Sequence, residues 1–251
     1  MDASSLKRLG IKIVIVSRSR AGMTTTQSIF PSWIPFVVPE SQKEDYEKAL
    51  DNPVITYDDS IITLGTTRNK ILDMCDEDIV VMVDDDVLCL YCHTGEKTER
   101  INDKEEAVHI IVNAAVMARD AGAKVFGFSQ TDIRKYHGQS PFCLNAWIGT
   151  CIGVVGRKYR FADGRNKVDI DFCMQNLLVE RIVWQDVRYR FENVKNANRG
   201  GASCTKTRES EESDYEYLFS RWGKYLHRAK TGKQNRKIKS MVKRKQSVRY
   251  E

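Results

Sequence analysis

Residues 79–83, the run IVVMV, are apolar at every position and stop against three consecutive aspartates, Asp84-Asp85-Asp86. A short run without a polar residue suits a strand buried on both faces, as inside a parallel sheet covered by helices. Ile11–Val16 (IKIVIV) has the same character. Between the two runs lie a strand candidate at 33–38, a charged periodic stretch at 41–50, a short strand at 54–57 and a helix at 66–74. Ser41, with Glu44 three residues on, predicts a capping-box start for the first of these helices. This β-α-β alternation predicts an α/β fold, a Rossmann-like, mostly parallel sheet flanked by helices. Ligands of such sheets lie beyond the carboxyl ends of the strands, which is where the three acids stand.

Beyond residue 86 the pattern changes. Residues 87–91 continue as a strand, and 93–102 read as a polar turn leading to a helix at 104–121 closed by Gly122. A strand follows at 125–128, then one or two strands within 145–155, with Gly149, Gly153 and Gly156 as bends. Residues 169–180 have helical spacing, 187–191 form a late strand, and 196–207 form a loop containing Gly200-Gly201. An aromatic-bearing helix is expected at 213–227. No internal repeat is visible.

Composition narrows the class further. The chain has 251 residues, 41% hydrophobic, with 15 Gly and 5 Pro, which excludes a collagen-like or wholly disordered chain. No apolar run approaches the roughly 20 residues of a membrane-spanning helix, and the polar start predicts no secretory signal. Seven scattered cysteines suit a reducing compartment. The expectation is therefore a soluble cytoplasmic protein without a membrane partner. Charge is uneven: residues 221–251 hold 12 Lys/Arg and one acid, whereas the rest of the chain is net acidic within an overall +6. We read residues 1–228 as the folded domain and 229–251 as a basic C-terminal extension. A polyanion-binding arm and a solvated terminus both fit that charge. Trp222, Tyr225 and His227 at its start would stack on a base or pack a terminal helix.

Three adjacent carboxylates at the end of a buried strand repel one another and are costly without a cation. On extended backbone Asp84 and Asp86 share a side, and two such carboxylates can hold Mn²⁺ or Mg²⁺ with positions left for phosphate oxygens. An acidic turn or a helix N-cap is the alternative. Ser17-Arg18-Ser19-Arg20 follows the first strand at the ligand end of the sheet, where arginine could meet a phosphate or a base. Arg68-Asn69 lies on the helix before the acidic strand, where a surface ion pair is by itself the preferred reading. Asp169 and Asp171 begin a helix, a position also suited to capping. Cys89-Leu90-Tyr91-Cys92-His93 imitates a haem or zinc motif but lacks a second ligand pair, and is read as a strand with buried thiols.

The succession IVIVSRSRAG, FVVPES, TLGTTRNKIL and EDIVVMVDDDV, followed by VDIDFCMQNLL and RYRFENVKNANRGGAS, resembles the GT-A nucleotide-sugar glycosyltransferases. It is similar in particular to the phage enzymes, relatives of those that make base J, that modify hydroxymethylated pyrimidines in DNA. The resemblance spans residues 11–205. That group usually has Gly where Ser19 stands and Glu-Asp where Val168-Asp169 stand. It implies a GT-A fold, a UDP-sugar donor, a divalent metal held by Asp84 and Asp86, and DNA as acceptor. It further implies donor contacts from Ser17, Arg18, Arg20, Arg68, Asn69, Asp85, Gly200 and Gly201. Asp169 would be the base, with Asp171 in reserve.

Overall fold

A computed structural model of the chain describes residues 1–94, 97–129, 141–193, 207–228 and 238–240. The first four strands, β1 (Ile11–Val16), β2 (Phe36–Pro39), β3 (Val54–Tyr57) and β4 (Ile79–Asp84), lie in the order β3-β2-β1-β4, all parallel. The sheet continues through β9 (Cys151–Val155), β7 (Val125–Ser129), β10 (Trp184–Asn193), β5 (Val87–Thr94) and β6 (Lys97–Ile101), with β8 (Phe142–Cys143) beside β10. Among the described residues, seven of these ten strands run one way, and β5, β8 and β9 run against them.

Alternation along the strands sorts the core into two layers. Ile11, Ile13 and Ile15 of β1, with Ile79, Val81 and Val83 of β4, face α1 (Ala3–Arg8), α2 (Lys43–Ala49) and α4 (Lys104–Asp120). Val14, Val80 and Met82 face the opposite way, into a layer with α3 (Leu64–Met74), α5 (Val168–Val179) and α6 (Arg208–Trp222). Helices on both faces explain why β1 and β4 carry hardly any polar residue. No helix among the described residues is long and apolar enough to cross a membrane.

Several expectations need correction. The second strand begins only at Phe36, because residues 31–34 close a turn, Ile34 N–H donating to Pro31 O at 3.1 Å. Ser41 does not cap α2. It sits in a 3₁₀ turn, and its hydroxyl and N–H donate to Asp59 at 2.5 and 3.1 Å. The polar stretch at 93–102 is the end of β5 and the whole of β6, whose residues 97–100 are solvent-exposed. Of residues 145–155, only Cys151–Val155 is a strand. The last helix starts earlier, at Arg208, capped by Thr207 and Ser210, and ends at Trp222. His227 belongs instead to β11 (Leu226–Arg228), which pairs antiparallel with β12 (Ile238–Ser240). The rest of the basic extension, and the Gly200-Gly201 pair, lie outside the described residues.

Candidate active site

β1 and β4 run parallel with Val16 opposite Asp84, so the residues after each strand emerge side by side. Asp84 ends β4, and Asp85-Asp86 turn the chain into β5. The buried Thr26 ties that turn down: its hydroxyl donates to Asp84 O at 2.7 Å and accepts from Val87 N–H at 2.9 Å. Above it opens a cleft of about 300 Å³ lined by Ser17, Arg18, Arg20, Arg68, Asp84, Asp85, Asp86 and Asp169. Residues that motif reading gave no role, Tyr57, Ile62, Thr67 and Asn166 among them, also line it. Tyr57 closes a strand whose polar end sits level with Ser17, a signal that strand-end position could have supplied.

The three aspartates have three different environments. Asp85 is buried, with one carboxylate oxygen on Arg20 at 2.5 Å and the other on the Ser17 hydroxyl. Ser17 in turn meets the Tyr46 hydroxyl at 2.5 Å, which accepts from Arg20 N–H at 3.0 Å. Burial raises the Asp85 pKa, opposed by Ser17 and Arg20. Asp85 thereby fixes the Arg20 loop while lining the cleft. Asp86 receives the Asn193 amide at 2.8 Å and Arg20 at 3.2 Å. Asp84 is the least compensated. Its nearest cation, Arg68, is 3.8 Å away, and 38% of its side chain opens to the cleft. Burial against the sheet, then the charges of Asp86, Asp169 and Asp85, push its carboxyl up to about 7 against the pull of Arg68.

Arg68 joins the two ends of the site. Its buried guanidinium bonds Asp169 with one nitrogen, reaches toward Asp84 with another, and lies 5.3 Å over the Phe161 ring. Burial works against its charge, but Asp169 and Asp84 more than offset this and raise its pKa. Arg68 is thus a buried bridge, not the surface ion pair that its sequence context also allowed. Its helix comes close enough because residue 65 is glycine: a Cβ there would lie 2.0 Å from Ala162 O.

Asp169 stands in the first turn of α5, but Lys167, without a side-chain cap bond, holds the N-cap position. Capping is therefore not what places Asp169. Two residues fall away from the cleft. Asn69 is turned to Phe161, donating to its carbonyl and accepting from its N–H, both at 2.9 Å, so it braces the Phe161 segment and makes no wall of the cleft. Asp171 is wholly buried against α6, accepting from Trp222 Nε1 at 2.7 Å, Gln175 Nε2 at 2.7 Å and Arg221 at 3.1 Å. It has no path to a substrate, and Trp222 is a packing residue. Cys89 and Cys92 are free thiols on β5, Cys89 buried as expected and Cys92 only half-buried. Among the described residues no three His, Cys, Asp or Glu side chains converge to cage a metal by themselves.

The profile of the TET-associated glycosyltransferase family matches residues 11–201, about three quarters of the chain. The chain belongs to that family. No curated protein matches it in sequence. Among solved structures, S. aureus TarS 1–349 in complex with UDP-GlcNAc is similar at 16% identity and a TM-score of 0.50, over 83% of this chain and 64% of that one. Glucosyl-3-phosphoglycerate synthase from Mycobacterium tuberculosis, in complex with Mn²⁺, UDP-glucose and phosphoglyceric acid, gives 13% identity and a TM-score of 0.52, over 85% and 79%. This chain thus spans a little under two thirds of the TarS fragment. These likenesses give the fold of this TET-associated glycosyltransferase, which is GT-A.

Proposed function

We propose that the cleft binds a nucleotide-sugar, a UDP-sugar by preference, with a divalent Mn²⁺ or Mg²⁺, and transfers the sugar to the hydroxyl of a hydroxymethylated pyrimidine in DNA. One observation carries the reading: Asp84 and Asp169, 85 residues apart in the chain, meet the same buried guanidinium across one cleft. The donor set fits a hard cation. Asp84, under-compensated and half open, and Asp86 supply two carboxylates, and a bound diphosphate would complete the ligand shell. When bound, such a metal supplies Lewis-acid stabilisation of the departing diphosphate.

The chain's own residues account for the rest. Arg18, whose Nη1 donates to Ile61 O at 2.6 Å, is held in the cleft wall beside Tyr57, suited to contact the nucleotide. Arg20, fixed by Asp85 and Asp86, sets a positive charge beside the acids. Asp169 keeps 34% of its side chain open and accepts the acceptor hydroxyl's proton as the sugar bond forms. DNA as acceptor is supported by the family and by the basic C-terminal block, whose charge suits a phosphate backbone. A base hydroxyl within a duplex is reached by extruding the base.

The test uses purified protein with Mn²⁺ and a panel of UDP-sugars. UDP release that requires hydroxymethylated DNA, and is absent with unmodified DNA, is the expected result. Release with both DNAs, or with neither, overturns the acceptor. Failure to bind Mn²⁺ and UDP in calorimetry overturns the donor reading too.

A further inference from the structure

The helix α5 that carries Asp169 begins without a cap of its own. The backbone that enters it is instead held by an acceptor on α6, almost fifty residues later. Asp214, buried on α6, accepts the N–H groups of Asn166 and Lys167 on one carboxylate oxygen, at 3.2 and 3.0 Å. Its other oxygen lies 3.6 Å from the Arg165 guanidinium. Asp214 thus pairs the N–H of the N-cap residue and of the residue before it, with its charge near the positive end of the helix dipole.

The tie is reciprocal. While Asp214 of α6 holds the entry to α5, the buried Asp171 of α5 holds the far half of α6 through Tyr217, Arg221 and Trp222. Removing either acid would leave buried donors unpaired, so the two helices have one favoured register. The segment so fixed is part of the cleft. Asn166 lines it and accepts Leu64 N–H at 3.2 Å, and Asp169 enters it two residues beyond the N-cap. Yet α6 lies wholly beyond residue 201, where the family match ends.

We propose that Asp214 is a positioning residue for the reaction: as a clamp supplied from α6, it sets where Asn166 and Asp169 stand in the cleft. This rests on the reading of Asp169 as the base. Without this clamp the entry to α5 frays, and Asp169 no longer faces the transferred sugar, while the cleft residues on β1 and β4 make no bond to Asp214 and keep their own partners. Small displacements of a reacting group are costly, so a turnover loss of about tenfold to a hundredfold follows.

The experiment compares Asp214→Ala and Asp214→Asn in the full chain, with UDP-glucose, Mn²⁺ and a hydroxymethylcytosine duplex. Asp214→Ala should lower kcat by about tenfold or more while the Kd for UDP with Mn²⁺ stays within about twofold. Asp214→Asn keeps an acceptor oxygen and should recover most of kcat. Amide hydrogen exchange should quicken at 166–170 in the alanine variant and stay slow in β1 and β4. Leu6→Ala, a cavity variant in the far layer, controls for loss of stability alone and should leave kcat unchanged. Unchanged kcat and exchange in Asp214→Ala overturns the proposal, as does a kcat loss shared equally by Leu6→Ala. If the wild type turns over no donor, the functional reading falls and exchange at 166–170 decides the positioning role. If Asp169→Asn keeps full activity while Asp214→Ala frays α5, only the base assignment fails.

Discussion

The acid buried between α5 and α6 and the acids of the cleft follow opposite rules. At the back, away from the cleft, Asp171 has no exposed surface and is met by the side chains of Gln175, Tyr217, Arg221 and Trp222. At the front, in the cleft, Asp84 has one cation 3.8 Å away and several carboxylates around it. A buried carboxylate with a full set of donors holds structure together. One crowded by like charges and open to a cleft is kept at a cost to stability, and its use must lie in something it binds. The two regions should therefore separate activity from stability in opposite directions.

The largest effect is expected at the front. Asp84→Asn should lower metal-dependent UDP release by about 10³-fold or more, since it removes a ligand charge from the leaving-group side. It should not destabilise the metal-free protein. The Asp84 carboxyl has its pKa raised from 3.8 to about 7, so its contribution to stability is full below pH 3.8 and is lost as pH rises through 7. Asparagine resembles the protonated form at every pH. The variant should thus be more stable than wild type at pH 8, by about 1 kcal/mol once the open part of the side chain is allowed for. Lower thermal stability at pH 8 would break the comparison.

At the back the signs reverse. Asp171→Ala leaves the Trp222 indole N–H and the Arg221 guanidinium without their acceptor, and should cost about 3 kcal/mol of unfolding free energy. Binding of UDP with Mn²⁺ should change by no more than about twofold, because none of its partners lines the cleft. Chemical denaturation and calorimetry on one preparation check both halves. A large loss of donor affinity with normal stability would mean that Asp171 reaches the site after all.

This contrast also explains what the sequence could reveal. β1 and β4 were legible because both faces of each are covered, leaving an apolar run that ends at the acids. Ser17, Arg18, Arg20 and Asp84 to Asp86 could be placed by one topological rule, that ligands gather at strand carboxyl ends, whereas Arg68 on α3 was reached only through the resemblance. Asp171 could not be told from Asp169, because the side chains that bury it lie mostly 46 to 51 residues away on α6, which no local pattern foretells. The resemblance implied a donor contact from Asn69 as well as Arg68, but adjacent helical residues point about 100° apart, so the two could not share a direction. β6 escaped because residues 97–100 are exposed on both faces, and an edge strand without a buried face has no period-2 signal.

An intermediate effect ties the front acids to pH. Metal binding must displace the proton that Asp84 retains below about 7, so affinity for Mn²⁺ should fall about tenfold between pH 8 and pH 6 and release close to one proton at the lower pH. Calorimetry in buffers of different ionisation heat reads that proton directly. Affinity flat across this range would place the metal elsewhere, and Asp84→Asn should abolish whatever pH dependence is found.

The smallest effect lies in the loop that Asp85 fixes. Ser19 has φ +57°, in the left-handed region that favours glycine. A side chain there costs about 1 kcal/mol or more. Gln42 offsets part of it, since its Oε1 accepts Ser19 N–H at 2.7 Å and its Nε2 donates to the Ser19 hydroxyl at 3.1 Å. Ser19→Gly relieves the backbone and keeps the first bond, but loses the second, exposed one and adds freedom to the unfolded chain, worth about 0.4–1 kcal/mol. The balance is a gain of about 0.5 kcal/mol at most. Gln42→Ala in the same background should then cost less than it does with serine, a coupling that a double-mutant cycle on Tm measures. Donor affinity should stay constant throughout, because Arg18 and Arg20 are held by Ile61, Asp85 and Asp86 and not by Ser19. If Ser19→Gly weakened UDP binding while raising Tm, rigidity of this turn would be part of donor recognition, and the front cluster would owe its geometry to more than its charges.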